Sequence, residues 1–166
     1  MTVRPILRYP DPRLRLVAMA VESFDPALRT LAADLLDTVR AAPGIGITAP
    51  HIGVAQRLVV LELSAADGVR IYVNPKIIEA SADRVRHPEG SISMPGAQEE
   101  VERHARVTVS FQDLDGNART ETAEGLLAIC HQHEIDQLDG IFWIQRLSRL
   151  RRDRLVKSWQ KSQART

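Results

Sequence analysis

Apolar positions recur with two different periods along the chain, and the change of period separates helical from extended segments. Residues 1–23 mix prolines, arginines and short apolar pieces without a sustained period, which predicts an irregular surface arm. Asp25-Pro26 then opens a helical segment, since Asp25 can cap the first amides and Pro26 suits the first helical position. The stripe of this predicted helix consists of Leu28, Leu31, Leu35 and Val39. Pro43-Gly44 ends it.

Shorter apolar runs follow between Arg57 and Gln112. They are RLVVLEL, VRIYVN and ARVTVSFQ, with turn signals at Asp67-Gly68 and Asn74-Pro75. These runs predict antiparallel strands, and one more short strand is expected after the Asp115-Gly116 turn.

The helical period returns in GLLAICHQHEIDQLDG, and the tail RLSRLRRDRLVKSWQKS is an arginine-rich amphipathic segment. One stripe of the first segment contains Leu126, Ile129, Cys130, His133 and Gln137. The apolar edge of the tail is expected to contain Leu147, Leu150, Leu155 and Trp159. We therefore predict one α+β domain over residues 1–166, with antiparallel β-sheets packed around a central helix and a C-terminal helix.

Composition narrows the class of protein. A chain of 166 residues with 44% hydrophobic residues can bury one sizeable core, and its formal net charge of +1 gives no overall field for nucleic acid or an anionic membrane. The single cysteine, Cys130, excludes an intramolecular disulfide and fits a reducing compartment, so we expect a cytoplasmic protein. No signal peptide or membrane-spanning run is visible.

The segment His133-Glu134-Ile135-Asp136-Gln137 carries the strongest chemical signal. Residue 137 lies one helical turn beyond His133, so a histidine there would complete the HExxH motif. In that motif two imidazoles share a metal, and the glutamate acts as general acid and base on the metal-bound water. The second imidazole is missing in this chain.

Two further segments, GIGITAPHIG over 44–53 and EGSISMPG over 89–96, precede the histidine–glutamate helix. With that helix and the flanking YPDPRLR, YVNPK and LSRLRRDR, they resemble the peptide deformylases, whose motifs are GxGxAAxQ, EGCLS and QHExDHLxG. The resemblance covers nearly the whole chain. It implies the deformylase fold and hydrolysis of the formyl group from the N-terminal formylmethionine of new bacterial and organellar chains.

Deformylases hold iron or a similar divalent ion with one cysteine and two histidines. By the resemblance these ligand positions fall on Ser91, His133 and Gln137, so only His133 is retained. A hydroxyl and an amide oxygen bind iron or zinc weakly. We therefore expect no metal, or a weakly bound divalent metal, and deformylase activity that is lost or strongly reduced.

The remaining family positions imply a largely retained peptide cleft. Glu134 occupies the place of the catalytic acid–base residue, and the glutamine that helps to hold the oxyanion falls on His51. We favour His51 as a hydrogen-bond donor; it could also lean toward the metal position, or be a packed loop histidine. The positions expected to flank the bound peptide or to line the methionine pocket, which are also plain core positions, are Ile45, Gly46, Ile92, Leu126, Ile129 and Cys130.

Two roles near this centre stay open. Glu89 either orients its neighbours or is an exposed turn carboxylate. Ser91 could serve as a nucleophile with His133 as its base, but the sequence marks no orienting acid beside them.

The alternatives to a degenerate deformylase fall into two classes. One is an active hydrolase with a rebuilt metal site that uses His51 and His133. The other is a non-catalytic protein that binds peptides or the ribosome, with the cationic tail as contact surface, although such a helix more often just covers its own domain. The tail arginines are Arg146, Arg149, Arg151, Arg152 and Arg154. No membrane and no sequence-specific nucleic acid is expected as a partner.

Overall fold

A computed structural model describes residues 1–165. The helices, numbered α1 to α3, are Pro26–Ala41, Gly125–Leu138 and Arg149–Ala164. The strands, numbered β1 to β7, are Gly46–Thr48, Leu58–Leu61, Arg70–Ala80, Arg84–Ser91, Met94–His104, Arg106–Gln112 and Ala118–Glu124. Three short 3-10 turns lie at Pro12–Arg15, Ala49–Ile52 and Trp143–Arg146.

The strands form two antiparallel sheets. The larger sheet has the order β1-β2-β3-β6-β7, and β4 and β5 form a separate two-stranded hairpin. Helix α2 contacts strands of both sheets and buries most of its length, including Ala128, Ile135 and Leu138. The architecture is therefore α+β, with antiparallel sheets around a central helix, as the sequence predicts.

Helix α1 forms as its pattern predicts. Asp25 Oδ1 accepts the amide hydrogen of Leu28 at 3.0 Å and caps the first turn. The apolar stripe, with Leu35 and Val39 fully buried, packs on β1 and β2 through Ile47 and Val60. This packing fixes the segment that follows the helix, which forms one edge of the functional cavity.

The predicted turn at Asn74-Pro75 is wrong, because β3 runs through it. Asn74 adopts a positive φ of 51°, and the pairing of β3 with β6 shifts register between Val73 and Lys76, which is a β-bulge. The Asn74 amide group donates to Val21 O and to Gln112 Oε1, while its oxygen accepts from Val21 N. These side-chain bonds hold Asn74 in the bulge. An Asn-Pro pair that usually marks a turn therefore lies inside a strand.

The hairpin of β4 and β5 has no apolar run that marks it in the sequence. Many of its side chains are polar and exposed, and Pro88 lies inside β4. Its inward residues are few, with Met94 and Val101 fully buried. The pattern is weak because one face of a two-stranded ribbon is in solvent.

The C-terminal helix packs back on the arm and the hairpin. Trp159 donates its indole N–H to Pro95 O at 2.7 Å and lies edge-on to Tyr9, which stacks on Phe142. The expectation for Leu150 is wrong, since this side chain is 60% exposed, whereas Trp159 is the buried residue of α3. Among the described residues, no helix is both long enough and apolar enough to cross a membrane.

Candidate active site

A cavity of about 470 Å³ lies beside α2, bordered by β1, the 3-10 turn after it and the β4–β5 hairpin. All but one of the site positions named from the sequence line it. They are Ile45, Gly46, His51, Ser91, Ile92, Leu126, Ile129, Cys130, His133 and Glu134. The exception is Gln137, which is buried but does not line the cavity.

His51 is held by the 3-10 turn that follows β1. The backbone N–H of Thr48 donates to His51 Nδ1 at 2.9 Å, so this nitrogen acts as an acceptor. In the neutral ring the proton therefore resides on Nε2, which is buried and has no hydrogen-bond partner within residues 1–165. Burial, with the positive charge of His133, lowers the pKa of His51 to about 3 and keeps the ring neutral. The cavity thus contains a fixed, unused N–H donor.

In His133, on α2, Nδ1 donates a hydrogen bond, whereas Nδ1 of His51 accepts one. The Nδ1 atom of His133 lies 2.8 Å from Glu89 Oε1, and because a carboxylate only accepts, Nδ1 carries the hydrogen. Nε2 is then the nitrogen left for the cavity that His133 lines. Burial acts to lower the pKa of His133, but the negative charges of Glu134 and Glu89 outweigh it and raise the pKa.

Glu89 belongs to a buried ionic network and is not an exposed turn carboxylate. Arg103 binds both Glu89 oxygens at 2.8 Å and reaches Asp136 Oδ2 at 2.7 Å. Arg146 then forms two bonds to Asp136, at 2.7 and 2.9 Å. Burial acts to raise the pKa of Glu89, but hydrogen bonds from Arg103 and His133 reverse this and lower the pKa to about 2.

Glu134, on α2, lines the cavity. It is 4% exposed, and its Oε1 has no hydrogen-bond partner within the described chain. Burial raises the pKa of this carboxyl group. A Cβ added at Gly46 would collide with Glu134 Oε2 and lie 2.8 Å from Leu61 Cδ2. Glycine at position 46 is therefore what lets the carboxyl group approach the strand.

The apolar wall of the cavity consists of partly exposed side chains at one part and buried side chains at another. Ile45 and Leu126 are 40% and 39% exposed, whereas Ile129 and Cys130 are buried. Burial raises the pKa of the Cys130 thiol to about 12, so the group is neutral and behaves as a small apolar side chain. The wall suits an apolar side chain that enters from solvent.

Two of the positions expected to hold a metal are engaged elsewhere. Ser91 Oγ accepts the Ser93 backbone N–H at 3.0 Å. Gln137 donates its side-chain amide to Leu14 O at 2.7 Å, which ties α2 to the N-terminal arm. Among residues 1–165, no three His, Cys, Asp or Glu side chains come together as a candidate metal-binding group.

Arg103 was not identified from the sequence. Its acidic partners, Glu89 and Asp136, lie within the motifs, but the sequence does not show which of the 22 lysines and arginines pairs with them. His131 does not line the cavity; it bonds Glu121 Oε1 at 2.7 Å and packs edge-on against Tyr72.

The family described as polypeptide deformylase matches residues 3–153. The chain belongs to the polypeptide deformylase family. It is 66% identical over 163 residues to a peptide deformylase-like protein of Brucella melitensis, with 98% of this chain and 99% of the relative covered. It is 44% identical over 165 residues to a peptide deformylase of Afipia carboxidovorans, with coverages of 98% and 96%.

Solved deformylases share the fold as well. The crystal structure of a peptide deformylase from Legionella pneumophila superposes with a TM-score of 0.89, at 40% identity and with 99% of each chain covered. The α+β architecture predicted from the sequence is thereby confirmed as the deformylase fold.

The donor set of this chain does not fit the metal that deformylases use. At the two positions that the resemblance assigns to the family thiolate and second imidazole, this chain has the Ser91 hydroxyl and the Gln137 amide. The Gln137 nitrogen is committed to Leu14, and an imidazole that accepts a hydrogen bond at Nδ1 and carries a proton at Nε2 has no lone pair left to bind a metal.

Proposed function

We propose that this deformylase-family chain binds the N-terminal formylmethionine segment of polypeptides and that metal-dependent removal of the formyl group is lost or strongly reduced. The proposal is supported by the contrast between the groups suited to bind a peptide and the groups at the expected metal-ligand positions. The apolar wall of the cavity and the His51 donor are in place, whereas Ser91 and Gln137 stand where thiolate and imidazole would bind the ion. Without an ion to polarise the formyl oxygen and acidify water, Glu134 alone provides little acceleration.

His51 gives the cavity a preference among N-termini. Its buried Nε2–H can donate to the oxygen of a formyl group, which satisfies an atom that otherwise has no partner. A free N-terminal ammonium group has only donors and would face this N–H unfavourably. The methionine side chain would rest on Leu126, Ile129 and Cys130.

The test combines metal content with peptide binding. Protein purified anaerobically, without tag or chelator, is expected to contain far less than stoichiometric metal. A formylmethionyl peptide should bind more tightly than the same peptide with a free amine. His51→Leu should weaken that binding by about 3–10-fold, the effect of losing one hydrogen bond, and His51→Gln should restore it. Equal affinities for the two peptides would contradict the proposal.

An active hydrolase with a rebuilt metal site is the second candidate. Its supporting observation is that His51 Nε2 is unpartnered in the same cavity as His133. This candidate requires His51 to give up its bond with Thr48 or to lose a ring proton. Near-stoichiometric metal together with chelator-sensitive hydrolysis of formyl peptides would establish it.

Restoring the two family ligands tests whether only the metal donors have been lost or whether the rest of the site has diverged as well. Ser91→Cys combined with Gln137→His supplies the two missing donors, and we expect metal binding and formyl-peptide hydrolysis to return. The single variants serve as controls, because each leaves one ligand missing. Failure of the double variant would mean that His51 or the pocket has diverged too.

The cationic tail supports a ribosome-contact role in the same cytoplasmic protein. Arg146 and Arg151 are engaged by Asp136 and Glu99. In the described chain, Arg152 and Arg154 form no side-chain ion pair. Salt-sensitive co-sedimentation with ribosomes that is weakened by replacing Arg152 and Arg154 with Gln would support contact through this surface.

A further inference from the structure

A second cavity, of about 410 Å³, lies between the N-terminal arm and the segment that leads from α2 into α3. It has no lining residue in common with the cavity beside α2. Its apolar lining includes the buried side chains of Leu14, Phe142 and Ile144, and its basic residues are Arg15 and Arg152. The size and the mixed lining suit a small organic ligand that has both an apolar and a charged part.

The two arginines at this second cavity have no charged partner among the described residues. Neither Arg15 nor Arg152 forms an ion pair or a side-chain hydrogen bond within residues 1–165. Asp11, the acidic residue of the lining, is engaged by Arg13, whose guanidinium nitrogens lie 3.1 and 2.8 Å from its two carboxylate oxygens. Two positive charges therefore remain uncompensated beside the cavity.

The start of α3 makes this surplus of positive charge unfavourable. The aligned peptide dipoles of a helix place partial positive charge at its N-terminus, where anions are stabilising and cations are not. Residues 149–152 of α3 include three arginines and no acidic side chain. Arg151 is paired with Glu99 at 2.8 Å, whereas Arg152 has no such partner in the described chain. An anion bound beside Arg152 would relieve this repulsion.

The arm side of the second cavity is held in place by contacts within the chain. Leu14 O accepts a hydrogen bond from the Gln137 side-chain amide at 2.7 Å. A Cβ added at Gly140 would collide with Arg15 O, so the arm packs closely on the turn that follows α2. A ligand therefore meets a formed site, and its binding loses little free energy to ordering of the backbone.

We propose that this second cavity binds a small phosphate monoester, with Arg15 and Arg152 on the phosphate and the apolar lining on the organic part. The planar guanidinium group matches phosphate geometry and can form two parallel hydrogen bonds to it. A phosphate monoester carries a charge of about −1.5 to −2 at pH 7, which matches the two uncompensated charges, whereas a phosphodiester carries only one. The proposal is independent of formyl-peptide binding at the cavity beside α2.

The test measures binding to the full chain by isothermal titration calorimetry in Tris-chloride buffer. Sodium chloride at about 150 mM screens diffuse attraction to exposed charges. The probes are phenyl phosphate, inorganic phosphate, methyl phenyl phosphate and succinate. We expect phenyl phosphate to bind most tightly, because inorganic phosphate leaves the apolar lining uncovered and succinate divides its charge between two carboxylates. Methyl phenyl phosphate, a diester, should bind at least about 10-fold more weakly, the scale of one lost charge-assisted hydrogen bond.

Single substitutions test which arginines hold the phosphate. Arg15→Gln and Arg152→Gln should each weaken the binding of phenyl phosphate by about 10-fold or more. Arg154→Gln is the matched control, because Arg154 lies on the same helix and forms no ion pair within residues 1–165 but does not line the cavity, and it should bind as wild type. Neither cavity arginine has a partner to lose, so both variants should unfold at the wild-type temperature without ligand.

The outcomes separate a built site from a generally cationic surface. A loss of the same size in Arg154→Gln would show attraction to the tail as a whole and would overturn the proposal. So would succinate or methyl phenyl phosphate that binds as tightly as phenyl phosphate, or phenyl phosphate that does not bind. Nε–H signals of Arg15 and Arg152 that shift during NMR titration with phenyl phosphate, with no shift for Arg154, would support the assigned site.

Discussion

His51 and His133 line one cavity but come from different parts of the fold, a 3-10 turn after β1 and the middle of α2. The Thr48 backbone amide donates to one ring, whereas the Glu89 carboxylate accepts from the other. As a result His51 offers an N–H to the cavity, whereas His133 keeps its Nδ1–H on Glu89 and has Nε2 left for the cavity. In each ring, the hydrogen-bond partner of Nδ1 determines whether the other nitrogen, Nε2, carries the proton of the neutral form.

The two rings also differ in how strongly the fold supports them. His133 is held by Glu89, which belongs to a network with the buried Arg103, with Asp136 and with the half-exposed Arg146, and the pKa of His133 is raised. His51 depends on one local turn, and burial together with the charge of His133 lowers its pKa. The contrast teaches that one cavity can hold two histidines whose different partners give them distinct and fixed polar functions.

The largest expected effect comes from removing the support of His133. Arg103→Met leaves the Glu89 and Asp136 carboxylates buried with fewer partners, and we expect a loss of about 3–5 kcal/mol in the free energy of unfolding. Urea denaturation measures it. Arg106→Met is the control, since Arg106 and its partner Glu124 are both well exposed, and it should change stability by about 0–1 kcal/mol.

The second effect concerns His51 and pH. Its folded pKa is depressed from 6.5 to about 3, so below pH 6.5 the unfolded chain binds a proton that the folded chain refuses. Stability is therefore lost as pH falls through this window, by at most about 1.4 kcal/mol per pH unit from this group. His51→Gln should remove that contribution. Parallel stability-versus-pH curves for the two proteins would contradict the assigned neutral state.

A smaller effect is expected at Gln137, whose side-chain amide ties α2 to the N-terminal arm. Gln137→Leu leaves the Leu14 carbonyl without its partner and should cost about 1–3 kcal/mol of stability. Gln160→Leu, on the exposed face of α3, is the matched control and should have little effect. Wild-type stability in Gln137→Leu would show that the tie is dispensable.

The smallest effect is expected from Thr48→Val. This change removes the hydroxyl that lies 2.8 Å from His51 Nδ1 but keeps the backbone N–H that sets the tautomer. Nitrogen-15 NMR of the imidazole should show Nε2–H for His51 in both proteins and Nδ1–H for His133 in its neutral form. An Nδ1–H signal for His51 would contradict the assignment of different tautomers to the two rings.

Local signals predict much of the fold but not its irregular parts. The cap at Asp25 and the stripe through Leu35 specify α1, because helix propensity, capping and burial agree there. Asn74-Pro75 gave a false turn, because long-range bonds to Val21 and Gln112 hold a bulge inside β3. Leu150 was misplaced, because its side chain is 60% exposed whereas Leu147 and Trp159 of the same predicted edge are buried in one core cluster.

The sequence by itself determined the family. It also showed which residues stand at the motif positions, among them Ser91, His133 and Gln137, because these positions are read without coordinates. The tertiary structure alone decided how those groups are paired. Glu89 meets His133 across 44 residues, and Gln137 meets Leu14 across 123. Protonation and hydrogen-bond direction depend on such partners and on burial, and neither is encoded in residue spacing along the chain.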